Sequence, residues 1–542
     1  MASFAPYNVQ SGRLFPSSPC TEQTVALSLL DATTANFSAT SAIWLYEKPV
    51  HTSDSQFDLA EHLRQSLRVA LNAYPQWCGH LKSITALNET NLPLAPHARR
   101  FGRLYVQYGT PNDPGVEFRT ATSTATLDEL YPISRPTNQP LWNREEVPLD
   151  VFLPANRLAY ALHPVVVNNS GLLPPVLAIQ LTSLACGGFV LAVKGAHPLA
   201  DITSLVHFMK DWGRVSQSIL LGNEVPTPVL APVFEPGKLD ALAAGNIDAV
   251  SPDPDIMEQV QTLPLHRYDW WVSSPGCPWP VRVPDVYHDQ GLPPMGKSMP
   301  WDEWNVEARV SHHVVHLNHK QVESIWKKAT AGLTSNGTIS RHDAILAHIW
   351  SCIARARNLQ DGPGSVHCDL VYGVRPALQL EPSFIGSPTL MINVGISGVD
   401  VAAAWKEDLL RPIAQRIRKT INQISQPTAL AAHLHTLAFE KSPQRIWQTF
   451  LGRRHILVTT WAHAGVYEID FGLGESIRYV DEVVPNMDGV IVIKEAPPKK
   501  AQDDTLRGKE SKRSWTDHGV DISVHIQDQD MERLLKDPYL LP

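Results

Sequence analysis

The sequence predicts a mixed α/β protein built from two domains. Short apolar runs rich in β-branched residues mix with amphipathic helical stretches in both halves of the chain, which is the α/β or α+β pattern. The 542 residues exceed the usual size of one domain, which is about 100 to 200 residues. Between the halves, the 75 residues from 226 to 300 hold 14 of the 44 prolines. We therefore expect domains at 1–225 and 306–542, joined by a long crossover at 226–305.

The spacing of apolar residues predicts three amphipathic helices. In 59–74, apolar residues recur three and four positions apart until Pro75 stops the pattern, and 202–219 shows the same spacing. In 340–358, the apolar stripe begins after Ser340, whose side chain is suited to cap the amino end of a helix. Both halves of the chain therefore contain at least one helix with an apolar face.

Strands are predicted at the short apolar, β-branched runs 175–184, 188–193, 310–317, 456–460, 476–480, 489–493 and 520–526, and a closing helix at 529–535. The uncharged run 176–193 approaches the length of a membrane span. Gln180 and the pair Gly187-Gly188 divide it into two pieces of strand length, so we expect buried sheet there. The charged stretch 494–513 is expected to be a solvated loop.

Composition and charge exclude several classes of protein. The 46 basic and 54 acidic residues give a net charge of -8 and a pI near 6.3, so no global basic field exists to bind nucleic acid or an anionic membrane. The six cysteines contain no CxxC pair and no Cys/His spacing typical of a metal site, so we expect neither a metal nor a permanently bound cofactor. Reduced thiols and the lack of a leader pattern favour the cytoplasm.

The most informative motif is His-x-x-x-Asp, which occurs twice. His197 follows a predicted buried strand, Pro198 prevents helix at that point, and Asp201 falls at the N-cap of the 202–219 helix, where a carboxylate accepts backbone N–H bonds. The imidazole is thus free for chemistry, although a satisfied core histidine explains these residues equally well. The second match, His207 and Asp211, is interpreted as a surface pair one helical turn apart.

Further segments follow in an order typical of one protein family. They are 27–31 (LSLLD), 74–81 (YPQWCGHL), 115–118 (GVEF), 180–182 (QLT), 186–189 (CGGF), the His197 motif, Trp212, 340–350, 373–375 (GVR), 458–461 (VTTW) and 467–474 (YEIDFGLG). On these residues the sequence resembles the BAHD family of coenzyme A-dependent acyltransferases over nearly its whole length. Two departures, Ile202 in place of glycine and Leu473 in place of tryptophan, are more similar to the fungal branch, which includes trichothecene acetyltransferases.

The resemblance implies a fold and a reaction. It implies two chloramphenicol-acetyltransferase-like domains with an active-site channel at their interface. Proteins of this family are commonly monomers. An acyl group, most simply acetyl, would pass from acyl-CoA as cosubstrate to a hydroxyl, less often an amine, of a small specialised metabolite. His197 would be the general base, Thr459 the hydroxyl that donates to the oxyanion, and Trp461 part of the same pocket.

The resemblance also implies structural roles. Asp201 and Arg375 would form a buried bidentate pair that orients the turn carrying His197. A glycine-containing tight turn would hold the fold near the coenzyme A side; its residues are Asp470, Gly472 and Gly474. None of these residues would carry a proton in the reaction.

Three other functions stay open. A carrier-protein-dependent condensation or amide-forming enzyme shares the fold and the histidine, but such enzymes typically have a second histidine where this chain has Ala196, and we expect no carrier domain. A metal-dependent hydrolase would need a third ligand beside His197 and Asp201, and the nearby sequence contains no convincing one. A catalytically silent binder on the same fold is the third alternative.

Overall fold

The computed structural model describes residues 4–50, 57–87, 91–162, 171–222, 230–333, 338–405, 409–474, 476–498 and 514–542. The strands are β1 (Tyr7–Leu14), β2 (Gln23–Ala26), β3 (Thr40–Tyr46), β4 (His80–Ser83), β5 (Leu104–Tyr108), β6 (Val116–Ser123), β7 (Leu141–Asn143), β8 (Leu177–Leu184), β9 (Phe189–Gly195), β10 (Tyr268–Asp269), β11 (Val310–Leu317), β12 (Ser365–Gly373), β13 (Thr389–Ser397), β14 (Ile446–Trp447), β15 (His455–Thr460), β16 (Ile477–Glu482), β17 (Val490–Glu495) and β18 (Val520–Gln527). The α-helices are α1 (Leu29–Thr33), α2 (Leu59–Ala70), α3 (Leu127–Leu130), α4 (Arg135–Asn138), α5 (Ile202–Leu220), α6 (Gly237–Asp240), α7 (Pro254–Val260), α8 (His319–Thr330), α9 (Arg341–Ala356), α10 (Gly398–Ala402), α11 (Leu410–Ile424), α12 (Pro427–Phe439) and α13 (Asp528–Leu535).

The first half of the chain forms a six-stranded sheet, the N-terminal sheet, in the order β1-β6-β8-β9-β3-β16. Strands β8, β9 and β3 are buried along nearly their whole length, as expected where both faces of a strand are covered. Helices α2 and α5 pack against each other. Their residues Leu67 and Trp212 share one hydrophobic core with Trp44 of β3.

The second half forms a seven-stranded sheet, the C-terminal sheet, in the order β13-β12-β15-β17-β18-β11-β7. Strands β12, β15 and β17 are parallel neighbours, and β13 and β18 flank them antiparallel. Helix α9 is buried over most of its surface and places Leu346 and Ile349 in the core of this half. Two smaller sheets, β2-β5-β4 and β10-β14, accompany these two large ones. The architecture is therefore a mixed α/β fold with one large sheet in each half, as the sequence predicts.

Each half of the chain contributes one strand to the sheet of the other half. β16, from the second half, pairs antiparallel with β3, and β7, from the first half, pairs antiparallel with β11. A buried ion pair lies beside these exchanged strands, since Arg144 Nη2 is 2.6 Å from Asp481 Oδ2. Backbone hydrogen bonds thus join the halves in both directions, while the boundaries at 225 and 306 stay a prediction.

The crossover contains little regular structure in its described residues, 230–305, beyond α6, α7 and the two-residue strand β10. Side chains attach it to the second half. Arg445 forms a buried ion pair with Asp269 at 2.7 Å. On α12, His435 accepts a hydrogen bond from the Asp253 N–H at 3.0 Å through Nε2, and its Nδ1 lies 2.7 Å from the Ala244 carbonyl oxygen. Polar side chains therefore fix a segment that lacks a sheet of its own.

Most predicted elements are confirmed, with shifts of a few residues at their ends. Helices α5 and α9 follow the predicted helices, and Ser340 caps α9 by accepting the Asp343 N–H at 3.1 Å. The helix predicted at 59–74 ends at Ala70 and continues as the 3-10 turn Leu71–Ala73. All seven predicted strands are present, and the run 176–193 contains β8 and β9. Within the described ranges, no helix is both long and apolar enough to cross a bilayer.

The expectation of a solvated loop at 494–513 is wrong at its start. Lys494 is fully buried near the end of β17, paired in register with Asp521 of β18. Its ammonium group donates to the Tyr479 hydroxyl at 3.0 Å and the Val480 carbonyl at 2.7 Å, and it also contacts the Glu482 carboxylate. These partners offset the loss of solvent. The rest of the stretch, from 499 on, lies outside the described residues.

The interpretation of His207 and Asp211 as a surface pair is also wrong. Asp211 is only 1% exposed, because α5 packs against the turn that follows α2. Its carboxylate accepts a hydrogen bond from the Tyr74 hydroxyl at 2.7 Å and from Arg214 at 2.8 Å, whereas His207 Nε2 is 3.5 Å away. Helical spacing shows that two side chains are neighbours, but burial depends on what packs against that face.

Candidate active site

His197 lies in a short turn between β9 and α5. β9 ends at Gly195, the 3-10 turn His197–Leu199 follows, and α5 begins at Ile202. Pro198 has no backbone N–H to donate, and Asp201 occupies the N-cap position, so the helix cannot begin earlier. His197 is therefore at the end of a buried strand, as the sequence predicts.

Two neighbours fix the His197 ring. Its Nδ1 lies 2.9 Å from the Ser387 hydroxyl oxygen, and Phe37 packs edge-on against the imidazole with 5.1 Å between ring centroids. Burial lowers the pKa of His197 below its ordinary value of 6.5, and the Asp201 carboxylate opposes this shift. The imidazole is consequently neutral near pH 7 and able to accept a proton.

Asp201 and Arg375 form the ion pair that the resemblance implies. The Asp201 carboxylate accepts hydrogen bonds from both terminal nitrogens of Arg375, at 2.5 and 3.0 Å, and from a backbone N–H of α5 at 2.9 Å. Arg375 also donates to the carbonyl oxygens of Phe384 and Gly386, at 3.1 and 3.2 Å. The pair therefore connects the amino end of α5 to the loop that carries Ser387.

Ser387 is held in turn by Asp31 of α1. The Ser387 backbone N–H donates to Asp31 Oδ1 at 2.5 Å, and Oδ2 of the same carboxylate accepts from the backbone N–H and the hydroxyl of Ser28, at 2.9 and 2.6 Å. Burial raises the pKa of Asp31 to about 6, although these hydrogen bonds act in the opposite direction. His197, Ser387 and Asp31 thus form a continuous chain of contacts between the two halves.

A cavity of about 950 Å³ lies between the two halves and includes His197 in its lining. Four other predicted site residues also line it, namely Asp201, Arg375, Thr459 and Trp461. Six further aromatic side chains form what we call the aromatic wall: Trp270, Trp279, Trp301, Trp304, Trp447 and Phe450. Four of these six belong to the crossover. The cavity therefore combines polar groups at the His197 turn with a broad apolar surface.

Comparison with known proteins decides the family. A family model described as the Transferase family matches residues 8–94, 102–230 and 282–541. The chain belongs to the BAHD family of acyltransferases.

Two relatives and one solved structure agree with this assignment. Acyltransferase AFT15-1 of Alternaria alternata is 26% identical over 92% of this chain and 90% of its own length. Acyltransferase abl6 of Leptosphaeria maculans is 23% identical over 98% of this chain and 97% of its own length. The crystal structure of F. sporotrichioides TRI101 complexed with coenzyme A and T-2 has a TM-score of 0.64 at 17% identity, and covers 96% of this chain and 98% of that one. The fold is therefore the two-domain acyltransferase fold that the family resemblance implies.

In this BAHD acyltransferase, the segment 470–474 does not line the cavity. Asp470 accepts the Gly472 N–H at 2.7 Å, and Gly472 and Gly474 have φ angles of 82° and 70°, which favour glycine. The segment packs closely on α5, where a Cβ added to Gly213 would lie 2.5 Å from the Asp470 carbonyl oxygen. It thus supports α5, the helix that Asp201 caps, while its role on the coenzyme A side stays a prediction.

Sequence reasoning missed Ser387, Phe37 and the aromatic wall. Ser387 and His197 are 190 residues apart, and no local pattern marks the serine. Asp31 lies in the segment 27–31, which the chain shares with the family, but the sequence predicts no role for it. The spacing Ser28-x-x-Asp31 predicts a capping box, which the structure contains at α1. The capping pattern could have located Asp31, but only the fold brings it to Ser387.

The metal-hydrolase alternative is disfavoured at His197. The Asp201 carboxylate already binds the Arg375 guanidinium, whose positive charge would repel a cation. His197 Nδ1 is engaged by Ser387. Among the described residues, the side chains with metal-ligand spacing lie elsewhere in the molecule.

Proposed function

We propose that this acyltransferase transfers an acyl group, most simply acetyl, from coenzyme A to a hydroxyl group of a bulky, largely apolar specialised metabolite. The observation that carries the proposal is the position of the His197 imidazole, which is held through Nδ1 by Ser387 and lines a cavity between the two halves. The TRI101 structure of the same fold is complexed with coenzyme A and T-2. That complex supports a thioester donor and a small-molecule acceptor for this chain.

The chemistry begins with proton transfer to His197. In the proposed tautomer, Nδ1–H donates to the Ser387 oxygen, so Nε2 is free to take the proton of the acceptor hydroxyl as its oxygen attacks the thioester carbonyl carbon. The carbonyl oxygen becomes an oxyanion, to which the Thr459 hydroxyl donates a hydrogen bond. The C–S bond then breaks, and Nε2–H returns its proton to the coenzyme A thiolate. His197 is neutral again at the end of the cycle, and an amine acceptor would follow the same steps.

The aromatic wall supports a bulky, apolar acceptor. Trp301 and Trp304 stack with 6.0 Å between ring centroids, and Phe450 packs edge-on against both at 5.3 and 5.8 Å. Such a surface gains free energy by contact with a fused-ring or aliphatic skeleton. A sugar or polyamine would leave polar groups without partners against it, which costs affinity. The wall therefore favours an acceptor with few polar groups besides the reacting hydroxyl.

Donor binding is the first test, because it needs no knowledge of the acceptor. Melting temperatures of the wild type and of His197→Ala are measured with acetyl-CoA and longer thioesters. One thioester should raise both melting temperatures similarly, since stabilisation follows RT ln(1 + [L]/Kd) and His197 is not needed to bind the donor. If no thioester binds at about 1 mM, the donor proposal fails, and a carrier-bound donor or a silent binder explains the fold better.

Catalysis is tested next, by acceptor-dependent release of coenzyme A over a panel of hydroxylated terpenoids, alkaloids and polyketides. Loss of the base in His197→Ala should lower kcat about 100-fold or more. His207→Ala, a half-buried histidine on the neighbouring helix that does not line the cavity, is the matched control and should keep wild-type turnover. A fully active His197→Ala protein would refute the mechanism.

We further propose that the protein acts as a monomer in the cytoplasm. The first half supplies His197 and the second half supplies Thr459 to the same cavity, so one chain completes the site. Light scattering on the purified protein should give a mass near 60.0 kDa. A stable dimer at micromolar concentration would contradict the monomer.

A further inference from the structure

Three metal-binding side chains from distant parts of the sequence meet behind the aromatic wall. His266 belongs to the crossover, Asp369 to β12 and His455 to the start of β15. Their ligand atoms all lie within 4.8 Å of one another. His266 Nε2 is 3.4 Å from one Asp369 oxygen, and His455 Nδ1 is 3.6 Å from the other. We call these three residues the His266 cluster.

Two ring nitrogens in the His266 cluster are buried without a hydrogen-bond partner. They are His266 Nε2 and His455 Nδ1, judged against the residues that the structure describes. His455 is only 3% exposed, so water does not readily reach its Nδ1. A buried polar atom left unpaired costs free energy, and most such atoms in folded proteins have a partner. Each of the two nitrogens faces an oxygen of the Asp369 carboxylate at 3.4 or 3.6 Å, which is long for a hydrogen bond. A cation between the three groups would therefore satisfy them better than they satisfy one another.

The geometry fits a metal ion. Zinc binds imidazole nitrogen and carboxylate oxygen at about 2.0 to 2.2 Å with tetrahedral angles, which places neighbouring ligand atoms about 3.4 Å apart. In the His266 cluster, His266 Nε2 is 3.4 Å from one Asp369 oxygen and His455 Nδ1 is 3.6 Å from the other, so each nitrogen has a carboxylate oxygen near this spacing. Two imidazoles and one carboxylate are a donor set that suits Zn²⁺ and similar first-row ions better than Mg²⁺ or Ca²⁺.

Surrounding groups orient the ligands in the way that protein metal sites require. The Asp369 carboxylate accepts hydrogen bonds from Asn393 Nδ2 at 2.7 Å, the Thr449 hydroxyl at 2.9 Å and the Phe450 N–H at 3.0 Å. His455 Nε2, the nitrogen opposite the cluster, lies 3.8 Å from the Glu303 carboxylate, whose Oε2 is itself buried and unpaired. Carboxylates behind metal-bound histidines fix the ring and increase its basicity.

We propose that the His266 cluster binds one divalent transition-metal ion, with Zn²⁺ the best match, and that this ion attaches the crossover to the C-terminal sheet. None of the three residues lines the cavity, so the ion is structural and takes no part in acyl transfer. His455 contacts Phe450 of the aromatic wall with 5.4 Å between ring centroids, and His266 contacts Tyr268 at 5.0 Å. Bound metal would therefore hold the wall in place from behind.

Metal content is the direct test. Protein without a histidine tag, purified without immobilised metal, is analysed by inductively coupled plasma mass spectrometry after dialysis. The wild type should contain about one zinc per chain, and His266→Ala and His455→Ala should each lose most of it. His435→Gln is the matched control, because His435 is equally buried and also attaches the crossover, but both its ring nitrogens have protein partners. It should keep its zinc.

A second measurement keeps the proposal testable if a variant folds poorly. Wild-type protein stripped with a chelator should melt at a lower temperature, and micromolar Zn²⁺ should restore the loss. Zn²⁺ should not raise the melting temperature of His455→Ala. The proposal is wrong if the wild type contains less than about 0.1 metal per chain and does not respond to Zn²⁺. It is also wrong if the double variant His266→Ala/His455→Ala retains the metal. Neither outcome depends on acyl transfer.

Discussion

The His197 turn and the aromatic wall border the same cavity, but different interactions hold them. At the turn, Asp201 caps α5 and binds Arg375, while Ser387 engages His197, so directional hydrogen bonds from distant segments fix each polar group. In the wall, rings pack on rings, as Trp301 does on Trp304. Hydrogen bonds suit atoms that must be placed for proton transfer, whereas ring packing gives a surface that adapts to different skeletons. Chemistry and acceptor choice are thus separable in this molecule.

The largest expected effect is on stability, from removing Arg375. Arg375→Ala leaves the Asp201 carboxylate, 6% exposed, without its counter-charge, and the loss of one partner of a buried pair costs about 3 to 5 kcal/mol. It also frees the carbonyl oxygens of Phe384 and Gly386, so the Ser387 loop should loosen and turnover should fall. Urea unfolding measures the stability loss.

Lys238→Ala is the control for that experiment. Lys238 pairs with Glu235 at 3.1 Å, but both side chains are largely exposed, at 44% and 58%, so its loss should barely change the urea midpoint. If Arg375→Ala lowers the midpoint no more than Lys238→Ala, the buried pair does not hold the turn.

Removal of the Ser387 hydroxyl should affect the reaction and leave the fold intact. Ser387→Ala keeps the backbone N–H that donates to Asp31, but deletes the oxygen 2.9 Å from His197 Nδ1. Because the ring then loses its fixed tautomer and orientation, we expect kcat to fall about tenfold at unchanged donor KM. Ser387→Thr, which restores a hydroxyl, should recover most of the loss. An unchanged kcat in Ser387→Ala would show that Phe37 and the turn alone position the base.

A substitution in the aromatic wall should change acceptor KM and leave kcat nearly unchanged, the opposite of Ser387→Ala. Trp279 lines the cavity and is 47% exposed, so Trp279→Ala should barely change the melting temperature. It removes apolar contact with the acceptor, and we expect acceptor KM to rise about three- to tenfold with kcat and donor binding nearly unchanged. If kcat falls as far as in Ser387→Ala, the wall and the turn are not independent.

The contrast between the His197 turn and the aromatic wall also explains which features the sequence could predict. The His197 turn is local, since a buried strand, Pro198 and a capping Asp201 follow one another within a dozen residues, and each has a strong backbone preference. The helices α5 and α9 were predictable for the same reason. The Asp201–Arg375 pair was accessible only through the family resemblance, because its partners are 174 residues apart.

The wall, the exchanged strands and the His266 cluster were not predictable from local patterns. The crossover has little sustained periodicity, so nothing in it shows which of its tryptophans face a cavity. β7 has only three residues, and its pairing with β11 depends on the topology of both sheets. His266 and Asp369 are brought together by the same topology. Sequence patterns report backbone preference over a few residues, whereas these contacts depend on how distant segments pack.

The smallest expected effect is on the pH dependence of kcat/KM. This effect tests the His197 turn alone, because the aromatic wall has no group that titrates in this range. Burial lowers the pKa of His197, so the acid limb of kcat/KM should lie below pH 6.5. The lowered pKa raises kcat/KM at pH 7 by at most about 1.3-fold, since an imidazole with an ordinary pKa is already about three quarters neutral at that pH. Because the unfolded chain binds this proton more readily, the stability contributed by neutral His197 is lost as the pH falls below its ordinary pKa.

Two variants test whether the acid limb of kcat/KM belongs to His197. The Ser387 oxygen accepts from Nδ1–H and favours the charged ring, so Ser387→Ala should move the acid limb to still lower pH. Trp279→Ala, which touches the wall and not the imidazole, should leave the limb in place. An acid limb above pH 6.5 in the wild type, or one that moves in Trp279→Ala, would mean that a group other than His197 limits the reaction at low pH.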